Sequence, residues 1–79
     1  DLVVLDPPRS GAGRRVIEQV VRRYPRAIGY VACDPAALAR DLGYLFAGSY
    51  GLVSLRAFDL FPMTHHLECV AILQPAPPS

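Results

Sequence analysis

At 79 residues the chain makes one small domain, of a size that buries only about 60% of its unfolded surface. With 52% hydrophobic residues it is too apolar for disorder, and a net charge of +1 singles out no partner. Two cysteines, Cys33 and Cys69, are too few for a disulfide framework and do not have zinc spacing. No apolar run reaches the ~20 residues of a membrane span. All eight basic residues are arginine; a solvated helix face and codon bias account for them as well as phosphate binding does. With no export signal at its start and thiols expected to be reduced, the chain is expected in the cytoplasm. Because it opens inside a strand pattern, it is also expected to be a piece of something larger.

Leu2–Leu5 is a continuous aliphatic run, which predicts a strand buried on both faces. Asp6-Pro7-Pro8-Arg9-Ser10-Gly11 ends it, since proline cannot donate to a ladder. From about Gly13 to Tyr24, Val16, Ile17, Val20 and Val21 form one stripe and the charged residues another, so a helix is predicted, stopped by Pro25. Ala27–Ala32 is a second apolar strand. Asp34 and Pro35 then suit the N-cap and first turn of a second helix. That helix carries Leu38, Leu42 and Leu45 inward and ends near Gly48. Gly51–Phe58 predicts a third strand, with Leu52, Val53, Leu55 and Phe58 as its buried residues. A loop, Asp59–His65, leads to a fourth strand, His66–Gln74, and residues 75–79 form a proline-rich tail.

The predicted order is β-α-β-α-β-β, an α/β fold. Right-handed crossovers make the first three strands parallel, with helices covering the sheet. A parallel crossover needs a dozen or more residues, and the final connection has only about seven, so the last strand must run antiparallel. Asp6, Cys33 and Glu68 are then expected on one edge, the carboxyl edge where open α/β sheets bind ligands.

Three segments give that edge a family resemblance. They are Asp6-Pro7-Pro8-Arg9-Ser10-Gly11, the run Tyr30-Val31-Ala32-Cys33-Asp34-Pro35 continuing to Arg40-Asp41, and Asp59-Leu60-Phe61-Pro62-Met63-Thr64-His65-His66-Leu67-Glu68. In this order and spacing they resemble the C-terminal signatures of the RNA 5-methyluridine methyltransferases, which act on tRNA and 23S rRNA. The resemblance covers nearly the whole chain and implies the C-terminal half of a Rossmann-like, S-adenosylmethionine-dependent methyltransferase domain over residues 1–74. It implies that Cys33 is a nucleophile toward uracil carbon 6, that Glu68 removes the carbon 5 proton, and that Asp6 lies at the cofactor or uracil side. RNA is the implied partner, and no metal is implied.

The family often has serine and asparagine where this chain has Ala32 and Asp34. Aspartate is a comparable N-cap, though it adds a negative charge beside the thiol. The glycine-rich loop and ribose-binding acid for the cofactor are expected upstream of Asp1, so the fragment alone is expected to be inactive.

Bland readings stand beside these. A free cysteine is more often packing, and Cys69 keeps that role. Asp6 could be a turn former, and Glu68 a solvated strand-end charge. Arg9 could contact RNA phosphate or cap its loop. Arg40 and Asp41 are expected to form a structural salt bridge. Adjacent strand residues face opposite sides, which makes His65 and His66 a poor chelate and a loop-stabilising pair. The alternatives are a methyltransferase on another base or an exocyclic amine with Cys33 idle, and a non-catalytic half-domain that self-associates through the open edge of its first strand. A Cys-His hydrolase ranks last because no oxyanion loop is evident.

Overall fold

In the computed structural model the chain folds as β1 (Leu2–Leu5), α1 (Arg14–Arg22), β2 (Ala27–Ala32), α2 (Pro35–Ala47), β3 (Tyr50–Phe61) and β4 (His66–Pro75). The structure describes residues 1–61 and 66–77. The strands form one sheet in the order β1-β2-β4-β3. β1 and β2 are parallel, while β4 lies antiparallel between β2 and β3. The first three strands therefore share a direction and the fourth opposes them, as expected.

Both crossovers step across the sheet the same way, and right-handed crossovers with a common step place their helices on a common face. Ile17 of α1 and Leu38, Leu42 and Leu45 of α2 accordingly meet Ile28, Tyr30, Ala32, Cys69, Ala71 and Leu73 in one core. The other face is bare. This corrects the expectation that β1 is buried on both faces: Leu2 and Val4 are 65% and 63% exposed, while Val3 and Leu5 are half-buried. Val4, Gly29 and Ile72 form a row across that bare face, with Val4 and Ile72 methyl groups flanking the glycine.

The third strand departs further from expectation. Leu52, Val53, Leu55 and Phe58 are all exposed, and among the described side chains of the strand the buried one is Tyr50. β3 is an edge strand with a neighbour on one side only, and the helices cover the middle of the sheet. Leu52 and Leu55 oppose Leu73 and Ala71, whereas Phe58 opposes Glu68 on the bare face; Val53 falls in a register shift. Pairing with β4 also continues past Phe58 to Phe61, which shortens the expected loop. Pro62, Met63, Thr64 and His65 lie outside the described residues.

The last turns are closed by buried and backbone hydrogen bonds. Tyr50 Oη donates to the Pro25 carbonyl (2.7 Å), and Ala76 N donates to the Ser49 carbonyl (2.8 Å). α1 is shorter than its predicted span because Tyr24 adopts a left-handed backbone (φ 49°) ahead of buried Pro25. Leu73 is fully buried between Ile28 and Leu52. Leu73→Ala is expected to cost about 2–5 kcal/mol, as truncation of a core leucine does, measurable as a lowered midpoint in urea unfolding.

Candidate active site

β2 delivers its last core residue, Ala32, and the next residue leaves the sheet. Asp34 then starts α2: its backbone is extended, its Oδ1 accepts from Ala36 N (3.0 Å), and Pro35 occupies the first turn. The proline's missing N–H costs nothing there. Cys33 is left exposed between a rigid strand and a capped helix whose N-terminus favours negative charge.

Register brings the second residue in. The β2–β4 ladder pairs Val31 with Val70 and ends at Ala32 with Cys69, so Cys33 and Glu68 are the residues immediately beyond the last pair on the two strands. Alternation puts Cys69 in the core and half-buried Glu68 on the helix-free side. Asp6 follows β1, whose register with β2 ends at Leu5 opposite Tyr30; Asp6 is exposed at the same carboxyl edge. With Val4, Pro7, Pro8 and Val16 it lines an open hollow of about 360 Å³. The edge thus gathers all three residues that the sequence nominates. Cys69 is buried and packs the core, Arg9 is exposed, and His65 is outside the described residues.

The polar centre behind this edge is Asp41. It is fully buried. Its Oδ2 accepts from Ala12 N (2.7 Å) and from the Tyr30 hydroxyl, and its Oδ1 accepts from Gly13 N (3.2 Å) and Arg40 Nη2 (3.2 Å). The same Arg40 Nη2 donates to the Ser10 carbonyl (2.7 Å). The Arg40–Asp41 salt bridge expected from the sequence is present, but it is one arm of a larger network. Gly11 runs through the gap with a left-handed backbone (φ 88°), and a Cβ there would stand 2.6 Å from Arg40 Nη2 and 2.8 Å from Asp41 Oδ2. Gly13 is the N-cap of α1 and has no side-chain cap; its N–H and that of Ala12, just ahead of the helix, are taken up by Asp41 of α2. The Tyr30 bond and the loop amides bound by Asp41 form the part that sequence reasoning missed. A signal existed: Leu38, Asp41, Leu42 and Leu45 follow 3–4 spacing, which places an acid on an apolar stripe.

A scan of family models matches residues 1–76 to the tRNA (uracil-5-)-methyltransferases. The chain belongs to that family. It is 70% identical over 76 residues to an uncharacterized RNA methyltransferase of Streptomyces avermitilis, covering 96% of this chain and 18% of the relative. A Thermotoga maritima RNA methyltransferase, also uncharacterized, is 47% identical, with 92% and 17% covered. Among solved structures, the Pyrococcus abyssi tRNA (uracil-54, C5)-methyltransferase in complex with S-adenosyl-L-homocysteine superposes with a TM-score of 0.81 at 41% identity, over 92% of this chain and 18% of that one. The fold is thus that of part of a tRNA methyltransferase, and the chain spans about a sixth of the length of these relatives.

Burial pushes the Asp41 carboxyl up, but the hydrogen bonds from Tyr30, Ala12, Arg40 and Gly13 outweigh it and hold it below its ordinary value of 3.8. Burial first, then the bond to the Asp41 carboxylate, raises Tyr30 well above its ordinary 10.0. Asp41 therefore contributes stability that is complete above its unfolded value of 3.8 and is lost as pH falls through the lower folded value. Tyr30 contributes stability that is complete below 10.0 and is lost as pH climbs toward the raised folded value. In denaturant unfolding across pH, Asp41→Asn should flatten the acid limb and Tyr30→Phe the alkaline limb.

Proposed function

We propose that this chain is the carboxyl-edge portion of a longer S-adenosylmethionine-dependent methyltransferase that methylates carbon 5 of a uridine in tRNA or rRNA. The single observation that supports the reading is that Cys33 and Glu68 both lie immediately beyond the last pair of the β2–β4 ladder, Ala32 with Cys69. Family membership and the likeness to a uracil-54 methyltransferase support it.

Carbon 5 of uracil is a weak nucleophile, and a thiolate remedies that. In this reading Cys33 Sγ bonds to carbon 6, and the electron pair of the 5,6 double bond moves toward carbon 5 and the 4-oxygen. When bound, S-adenosylmethionine supplies an electrophilic methyl group. Once carbon 5 carries that methyl, the Glu68 carboxylate takes the carbon 5 proton. The C–H pair re-forms the double bond, and the carbon–sulfur pair departs with Cys33. The uridine has to be flipped out or presented in a loop to reach this edge.

The hollow beside β1 fits the cofactor or uracil side in kind, with proline and valine walls and the exposed Asp6 carboxylate at its rim. The main cofactor-binding loop belongs to the longer protein, and the isolated chain is inactive in this reading. Among the described residues no helix is long and apolar enough to cross a membrane. The cytoplasm, where tRNA and rRNA are modified, is the proposed location.

Incubated with 5-fluorouridine RNA, whose carbon 5 holds no removable proton, the full-length enzyme should form a stable covalent adduct, visible as a shifted band. Cys33→Ser should abolish it. Glu68→Gln should slow turnover by about 10²–10⁴-fold, the usual worth of a general base, and trap the adduct even on ordinary uridine. An active wild type that forms no adduct would sink the mechanism in favour of a methyltransferase that leaves Cys33 idle.

The exposed Leu2 and Val4 of β1 also support self-association of the isolated chain through its β1 side. Sedimentation should show dimers or larger species, and a monomer persisting at high concentration would count against this.

A further inference from the structure

The site has two walls that come from different parts of the chain. One is the 6–13 loop after β1, which carries Asp6 and lines the hollow. The other is the turn at Cys33 and Asp34, which opens α2. Near the edge, β1 and β2 are tied by ladder bonds only as far as Leu5 and Tyr30. Beyond that level the loop is fastened to α2 from Asp41 and Arg40, through Ala12 N, Gly13 N and the Ser10 carbonyl. Tyr30 holds the same carboxylate from β2, three residues before Cys33. One buried carboxylate thus ties the loop, the strand that delivers Cys33, and the helix that caps it.

We propose that Asp41, acting through Tyr30, Arg40 and the Ala12 and Gly13 amides, is a positioning residue that sets the Asp6 loop against the Cys33 turn in the reactive geometry. This rests on the uracil-5 reading above. Asp41 does not touch substrate. Its carboxylate accepts five hydrogen bonds from donors on four residues, which no amide can do, because asparagine would present N–H groups to donors. The left-handed, Cβ-free passage of Gly11 lets the loop pass close to Asp41 Oδ2, where a Cβ would clash. Misplacement of reacting groups by about 1 Å can cost ~10²-fold in rate, so the fastening should register in kcat.

The test uses the full-length enzyme with its RNA, well below each variant's unfolding midpoint. Asp41→Asn should lower kcat at saturating RNA and S-adenosylmethionine by about 10–100-fold. KM for RNA should stay within about twofold, because the lost contact acts on the reacting geometry rather than on RNA binding. Tyr30→Phe removes one donor and keeps the ring; it should lower kcat less, in the same direction, and it serves should Asp41→Asn fail to fold. Leu73→Ala, in the core at the other end of the ladder, is the matched control and should lose stability while keeping kcat. Folded Asp41→Asn or Tyr30→Phe enzyme with wild-type kcat overturns the proposal, as does an equal loss in Leu73→Ala. Adduct formation with 5-fluorouridine RNA separates the two readings. A wild type without adduct overturns the uracil chemistry and this proposal together, whereas an intact wild-type adduct with unchanged variant kcat overturns positioning alone.

Discussion

The fold turns on a charge placed where charges are seldom found. Burying a carboxylate costs several kcal/mol unless its lone pairs are met, and Asp41 is fully buried. Four donors meet it: two backbone amides, a phenol and a guanidinium. The amides, of Ala12 and Gly13, lie just ahead of α1, where negative charge is favoured. The loop's polar groups therefore offset the cost of burying the charge. The consequence is geometric, because the 6–13 loop cannot be moved without leaving an uncompensated charge inside.

The second constraint is register. β4 enters the sheet between β2 and β3, so a residue far along the chain comes to lie beside the end of β2. Side chains alternate faces along a strand, and a slip of one position would send Cys69 out of the core and Glu68 into it. Burial of Cys69, Ala71 and Leu73 fixes β4 against that slip. The same hydrophobic pattern that holds the strand in place thus leaves Glu68 just beyond the last pair, Ala32 with Cys69, on the helix-free side.

The sequence made the element order and the site edge legible because each depends on short-range signals. Prolines end β1 and α1, Asp34-Pro35 opens α2, and the short final connection forces the antiparallel return. What it hid depends on which face meets what. Leu2, Val4, Leu52 and Leu55 are strand-forming and apolar, and nothing local distinguishes a strand buried on two faces from one buried on a single face. That outcome follows from the shared direction of the two crossovers and from the edge position of β3. The Asp41 network was half legible, since the acid falls on the leucine stripe of α2, but its partners Tyr30, Ala12 and Gly13 lie 11 to 29 residues away.

The accounting of acids at the carboxyl edge bears on the proposed chemistry. Four stand near it. Asp34 is engaged by Ala36 N as the cap of α2, and Asp41 is engaged by four donors in the core. A carboxylate held below its ordinary pKa by such bonds is a poor proton acceptor, because protonation would break the contacts that hold it. Asp6 and Glu68 carry no such structural duty in the networks described, and they differ in place. Asp6 stands at the rim of the hollow beside β1, on the far side of β2 from β4. Glu68 is on the strand whose ladder runs up to Cys33. Of the two, Glu68 lies one residue beyond the last ladder pair before Cys33, a placement that suits the proposed role of proton acceptor.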